Sequence, residues 1–259
     1  MSRHLRVPVA DTVLDANDTE GSGPPVLLLN GGFATQRFWK DVVPLLADRY
    51  RVVTFDGRGR GKSGISGDYS FAGCLDDVHA VLDATGLKRP ILAGWSYGAA
   101  IAVRYAARHP DQVAGVVNID GAMPLAPIDD ALRNRIRKQF RSYAIPMKIM
   151  AALGLSSRMS AAQAADMNIE YLDILTGFAA DYAQTQCPVA CIKATGMHQG
   201  ATEQEMREAR ANLDAVIASN PHVTDFATVP SNHRWVVAKH SDTIAAAVDA
   251  VASKVFPAP

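Results

Sequence analysis

Ile91-Leu92-Ala93-Gly94-Trp95-Ser96-Tyr97-Gly98-Ala99-Ala100 carries an apolar run into a Gly-x-Ser-x-Gly turn. The chain then continues through Ile101-Ala102-Val103-Arg104-Tyr105-Ala106-Ala107, a helical pattern built from small residues. A buried strand, a tight turn and a helix in that order lift Ser96 to the apex, with its hydroxyl clear of the sheet edge. Gly94 and Gly98 lack a Cβ, so strand and helix can approach closely on either side of a strained serine. The five-residue pattern alone also describes an ordinary turn. The strand before it and the helix after it make Ser96 a candidate nucleophile.

Working outward, short apolar runs recur at residues 26–29, 51–55, 113–119, 189–192 and 223–229. Between them lie helical patterns near residues 36–48, 70–85, 202–218 and 241–255, and residues 3–24 have room for one or two edge strands. Alternation of this kind predicts βαβ units and a largely parallel α/β sheet covered on both faces. In such a sheet, chemistry collects in the loops at the carboxyl ends of strands.

The 259 residues suffice for one such domain with an insertion. Lys plus Arg (26) balance Asp plus Glu (26), so nothing in the charge points to nucleic acid or an anionic membrane. The opening residues lead into no apolar signal-peptide core, and no apolar run reaches membrane-spanning length. A cytoplasmic protein with a small-molecule substrate is the expectation, with its oligomeric state open. Cys74, Cys187 and Cys191 are odd in number and lack the spacing of a zinc site, so buried free thiols and no metal are expected.

Two loops after strands supply what a nucleophilic serine needs. Asn30-Gly31-Gly32-Phe33 is a Gly-rich turn whose backbone N–H groups can face a developing oxyanion, with the Tyr97 N–H as the second donor. A base is required as well. His233, in Val229-Pro230-Ser231-Asn232-His233, follows the last strand. His4, His79, His109, His222 and His240 lie in the terminal segment, within a helix or at element ends, and His198 is the one rival that also follows a strand.

The Asn30-Gly31-Gly32 turn, the segment Asp56 to Ser63, the Gly94–Gly98 turn and a histidine before a closing helix together resemble the α/β-hydrolase family. The resemblance covers nearly the whole chain. It implies a serine nucleophile, a histidine base and a carboxylate that orients the histidine, without a cofactor. Asn30 stands where that family's oxyanion loop usually begins with histidine. The family most often takes its acid from the loop after the penultimate strand, yet Ala194-Thr195-Gly196-Met197-His198-Gln199-Gly200 holds no carboxylate. Some members carry the acid one strand earlier. Here that strand ends in Asn118-Ile119-Asp120-Gly121, which makes Asp120 the expected third member. Glu203 and Glu205 suit the start of the next helix instead.

Gly59-Arg60-Gly61-Lys62-Ser63-Gly64 imitates two nucleotide motifs, but the next helical pattern starts too late to present its N-terminus to a phosphate. In the family it resembles, this turn is structural. Residues 123–183 form an expected helical cap, inserted after the strand that ends at Asp120, on a core of residues 1–122 and 184–259. Helices are expected near residues 131–140, 146–155 and 160–176, with Met147, Met150, Met159 and Met167 either lining a lid or packing the cap on itself. Asn30, Trp95, Met123, Met147, Met150 and Trp235 are the candidate pocket walls.

The resemblance implies hydrolysis of an ester, lactone or thioester with an apolar body. Carbon–carbon bond hydrolysis, perhydrolysis and a binding module of the same fold remain open alternatives. Serine at position 96 argues against dehalogenase or epoxide hydrolase chemistry, for which the family has aspartate at that place.

Overall fold

Continuous apolar runs occupy the middle of one eight-stranded sheet, since a strand covered on both faces can bury every side chain it carries. The computed structural model describes residues 2–154 and 156–256. Strands β1 (Arg3–Val9) and β2 (Thr12–Asp18) form the antiparallel hairpin at one edge. Next come β3 (Pro25–Leu29), the short α1 (Val43–Leu46) and β4 (Arg51–Asp56). Helix α2 (Phe71–Thr85) leads to β5 (Ile91–Trp95), and α3 (Tyr97–Arg108) leads to β6 (Gly115–Ile119). Four helices follow: α4 (Asp130–Ser142), α5 (Ala144–Ala152), α6 (Ala161–Leu175) and α7 (Phe178–Gln184). The chain closes with β7 (Val189–Ala194), α8 (Glu203–Ser219), β8 (Val223–Val229), α9 (Val236–Lys239) and α10 (Ser241–Val255).

The strand order is β1-β2-β4-β3-β5-β6-β7-β8. Every pairing from β4 to β8 is parallel, which is the doubly covered α/β sheet the sequence predicts. Successive side chains of the central strands alternate between two cores. Leu27, Leu29, Leu92 and Val116 join the side covered by α2 and α3. Val26, Leu28, Ile91, Ala93, Val117 and Ile119 join the side covered by Trp39, Leu46 and α10. Each fully buried leucine or isoleucine contributes roughly 1.5–3 kcal/mol by leaving water.

One expected helix is broken. Residues 36–48 give a 3-10 turn (Gln36–Trp39) and then α1, with Pro44 in the first turn of α1. Proline has no N–H to donate, so a continuous helix through position 44 would lose a rung. Helix α2 starts where its cap directs: the Ser70 side chain accepts from the Gly73 N–H, and Gly86 ends the helix in the left-handed region (φ 66°). All three cysteines are free and buried, and burial pushes the Cys187 and Cys191 thiols up to about 11 and 12.

The segment between β6 and β7 is helical, with a fourth helix, α7, beyond the three expected. The apolar stretch expected up to Leu155 ends as α5 at Ala152, and Leu155 lies outside the described residues. Helices α4 and α6 pack through Ile136, Ala165 and Ile169 and through the Arg133–Asp173 ion pair. Arg104 of α3 grips Asp181 of α7 and ties this layer to the core. Among the described residues, no helix is long and apolar enough to cross a membrane.

Candidate active site

The turn between β5 and α3 holds Ser96 at φ 56°, ψ −116°, a conformation that only surrounding structure can enforce. Its surroundings have been cleared of side-chain bulk. A Cβ at Gly94 would run into the Gly98 carbonyl, one at Gly98 into the Leu29 carbonyl, and one at Gly121 into the Ser96 carbonyl. The Ser96 N–H donates to the Ile119 carbonyl of β6 (3.0 Å), which locks the turn to the neighbouring strand.

The order β5-β6-β7-β8 brings the next three strand ends alongside. Trp95 pairs with Ile119, Ile119 with Ile192, and Ala194 with Val229. Asp120 therefore leaves β6 beside Ser96, and the loop after β8 returns His233 over both. With the proton on Nδ1, His233 donates to Asp120 Oδ2 (2.7 Å), and its Nε2 accepts from the Ser96 hydroxyl (2.8 Å). The three side chains expected from the sequence form one hydrogen-bonded chain.

The Asp120 carboxylate is almost wholly buried. Burial alone would raise its pKa. Hydrogen bonds from His198 and His233, reinforced by the positive charge of an imidazolium beside the carboxylate, overcome that and hold the carboxyl well below its usual range. Its other oxygen, Oδ1, accepts the Ala194 N–H (2.9 Å). Asp120 sits at φ 47° and Ala122 at φ 50°, so this loop also stores strain. Asn118 restrains it: its Oδ1 accepts the Gly121 N–H (3.1 Å), and its Nδ2 donates to the Tyr182 hydroxyl (2.8 Å).

His198 makes no hydrogen bond to Ser96, but it belongs to the site. Its Nε2 donates to Asp120 Oδ2 (3.0 Å), and its ring lies on that of His233 with centroids 3.8 Å apart. The loop after β7 thus supplies donors to the acid where a carboxylate would be usual. Burial depresses the proton affinity of His233, the Asp120 hydrogen bond opposes this, and the neighbouring His198 adds to the depression. Signals for both missed partners were present: His198 follows a strand, and Asn118 lies two residues before the acid.

On the other side of Ser96, the Tyr97 N–H heads α3, in the first turn, where amides lack an intrahelical acceptor. The loop 30–33 faces it, with Gly32 close to the Tyr97 side chain. Asn30, expected as a pocket wall, is used differently. Its Nδ2 donates to the Phe55 carbonyl (2.6 Å) and its Oδ1 accepts from Trp39 Nε1 (2.7 Å), so it anchors the loop. Arg60 Nε donates to the Gly32 carbonyl (2.8 Å) and pins the same loop two residues further on. The surrounding Gly-rich turn is structural: Asp56 accepts the Gln36 and Lys62 N–H groups, and Arg58 pairs with buried Asp77 (2.7 Å). No phosphate cradle forms there, because α2 begins only at Phe71.

The remaining pocket candidates divide. Trp95 is buried, stacks on Phe38 and supports the His233 ring (5.5 Å), while its Nε1–H has no partner among the described residues. Met123 is buried, and Met147 packs on the main core. Met150 is half-buried in α5, and Trp235 is 47 % exposed and stacks under Arg234, so Trp235 is a surface residue. Side chains from the helical insertion take the roof instead. Met167 lies against Gly32, Tyr171 packs on Tyr97 (5.2 Å), and Phe140 packs on Phe33 (5.5 Å). Behind the loop, a cavity of about 40 Å³ is lined by Asn30, Arg60, Cys74 and Tyr97, room for water rather than a substrate.

Asp120, His198 and His233 offer three ligand atoms within 4.8 Å of one another, a spacing that would also suit a divalent ion. Each of these atoms already has a hydrogen-bond partner within the trio, and Asp120 Oδ1 is committed to a backbone amide. The cluster is accounted for as a proton network.

Residues 24–150 match the family model for the alpha/beta hydrolase fold. A haloalkane dehalogenase of Mesorhizobium japonicum is 29 % identical over 146 residues, 56 % of this chain and 47 % of that protein, so the match spans about half of the relative's length. Two solved structures align over nearly the whole chain. An esterase from Thermogutta terrifontis (malate bound) has a TM-score of 0.75 at 18 % identity, covering 98 % of this chain and 99 % of its own. An enol-lactonase from Burkholderia xenovorans has a TM-score of 0.71 at 19 % identity, covering 95 % and 98 %. At such identities, the shared property is the fold.

Proposed function

Because this chain belongs to the α/β-hydrolase fold family, we propose that it is a serine hydrolase cleaving a carboxylic ester, lactone or thioester with an apolar body. The observation that carries this reading is the His233 bridge, with Nε2 on the Ser96 hydroxyl and Nδ1 on Asp120. Ser96 Oγ attacks the substrate carbonyl while His233 Nε2 takes its proton, and Asp120 stabilises the imidazolium that forms. The Tyr97 N–H and that of Gly32 or Phe33 receive the oxyanion. His233 then protonates the leaving group, the acyl-enzyme forms, and water repeats the sequence to free the acid.

An apolar body is supported by Met167, Tyr171 and Phe140, which lie over the loop at residues 30–33, with the helices between β6 and β7 in the role of a cap. With a serine and not an aspartate at the apex, the intermediate is an acyl ester, which distinguishes this chemistry from that of the dehalogenase relative. The test is steady-state turnover of p-nitrophenyl esters of increasing acyl length. Multiple turnover is expected, with a loss of about 10³-fold or more in Ser96→Ala. Stoichiometric binding without turnover on esters, lactones and thioesters would replace this reading with a binding module.

A further inference from the structure

His198 is not required by the mechanism above, yet it touches two of its three members. Two imidazoles share one carboxylate oxygen, at 2.7 Å from His233 Nδ1 and 3.0 Å from His198 Nε2, and their rings are in face contact. One buried negative charge can compensate one imidazolium. A second, stacked directly on the first, would lack a counter-charge. At that spacing the repulsion is worth on the order of one pH unit or more, even behind a high effective dielectric.

We propose that His198 is a positioning residue: its Nε2–H turns Asp120 toward His233, and its ring, stacked on His233, disfavours a second imidazolium there and so keeps His233 free as a base. Its placement suits both tasks. The His198 side chain is 25 % exposed against 18 % for His233, so it is the more solvent-accessible of the two stacked rings. The loop that carries it is held from below, where Arg210 of α8 donates to the carbonyls of Ala194 and Gly196.

The other charged and titratable groups around the pair are accounted for. From α8 and α4, the Glu205–Arg135 ion pair (2.6 Å) is internally neutral. From α6, burial keeps the Tyr171 phenol protonated far above neutrality. Arg210 donates to backbone carbonyls and carries a fixed positive charge that is the same in wild type and variant. The Asp120 carboxylate is the counter-charge that touches both rings.

The sign follows from electrostatics. A charged His198 lowers the proton affinity of His233, so replacing it with a neutral donor raises that affinity and moves the loss of activity to higher pH. This inference rests on the Ser96–His233–Asp120 reading, and two measurements separate the two. The first is the NMR titration of the His233 ring nitrogens in the wild type and in His198→Gln, with His198→Asn if glutamine misfolds. The second is the pH dependence of Ser96 labelling by a fluorophosphonate in the same proteins.

The expected result is a His233 midpoint and an acid limb of labelling both raised by about half a pH unit or more in the variant. Superposable titrations, or a fall in labelling rate at every pH with the acid limb unmoved, overturn the proposal and leave His198 a purely structural residue. Absence of labelling in the wild type alongside a shifted titration would defeat the nucleophile reading while the coupling stands.

Discussion

The sheet core and the helical insertion are built to different standards. In the core, α3 buries ten of its twelve residues against the sheet. In the insertion, α5 buries none, and Ile145, Ile149 and Leu153 stand in solvent on one side of it. The strained residues Ser96, Asp120 and Ala122 all sit at strand ends of the core, where neighbouring strands and helices over-determine them. Elsewhere the insertion is joined to the core by apolar side chains, Met167, Leu175, Phe178 and Tyr182 among them, and by polar attachments. Arg104 grips Asp181, Glu170 accepts the Phe71 N–H, and Arg60 reaches Met167 Sδ (3.1 Å). Chemistry that needs fixed distances is placed where packing is rigid. In the proposed reading, the cap has its least buried helix, α5, where adjustment is inexpensive.

Substitutions can break or sharpen that contrast. The largest effect is expected in the core network: Asp120→Asn keeps the shape but misdirects the His233 proton, lowering kcat by about 10³–10⁴-fold with an unchanged circular dichroism spectrum. Turnover within tenfold of wild type would show that the acid lies elsewhere. Gly98→Ala forces a methyl group against the Leu29 carbonyl, and a stability loss of about 1–3 kcal/mol or more in urea titration is expected, together with lost activity. A neutral result would mean that the turn has slack and that the contrast in rigidity is overstated. Ile149→Ser, on the exposed face of α5, should shift stability by less than about 0.5 kcal/mol. A larger loss would show that this face is covered by something in solution.

Much of this arrangement was legible from residue order alone. The bounds of β8 and α10 follow from apolar runs and periodicity, and Ser96 and His233 from strand–turn–helix context and position after the last strand. Asp120 is singled out by an absence, since the loop after β7 offers no carboxylate. What the sequence concealed depends on packing between distant segments. Nothing local to His198 tells that its ring lies on His233, and nothing local to Trp235 tells that it turns to solvent. Asn30 reads as a pocket residue until its amide is seen bridging Phe55 and Trp39. The break at Pro44 was readable from the proline, whereas the apolar residues on both sides of it argued for one longer helix.

The central claim is that His233 activates Ser96. Its most direct test is intact mass after exposure to a fluorophosphonate, for the wild type beside Ser96→Ala and His233→Ala. One adduct on the wild type and none on either variant is the predicted result. An unmodified, well-folded wild type, or an adduct that persists in Ser96→Ala, would contradict it.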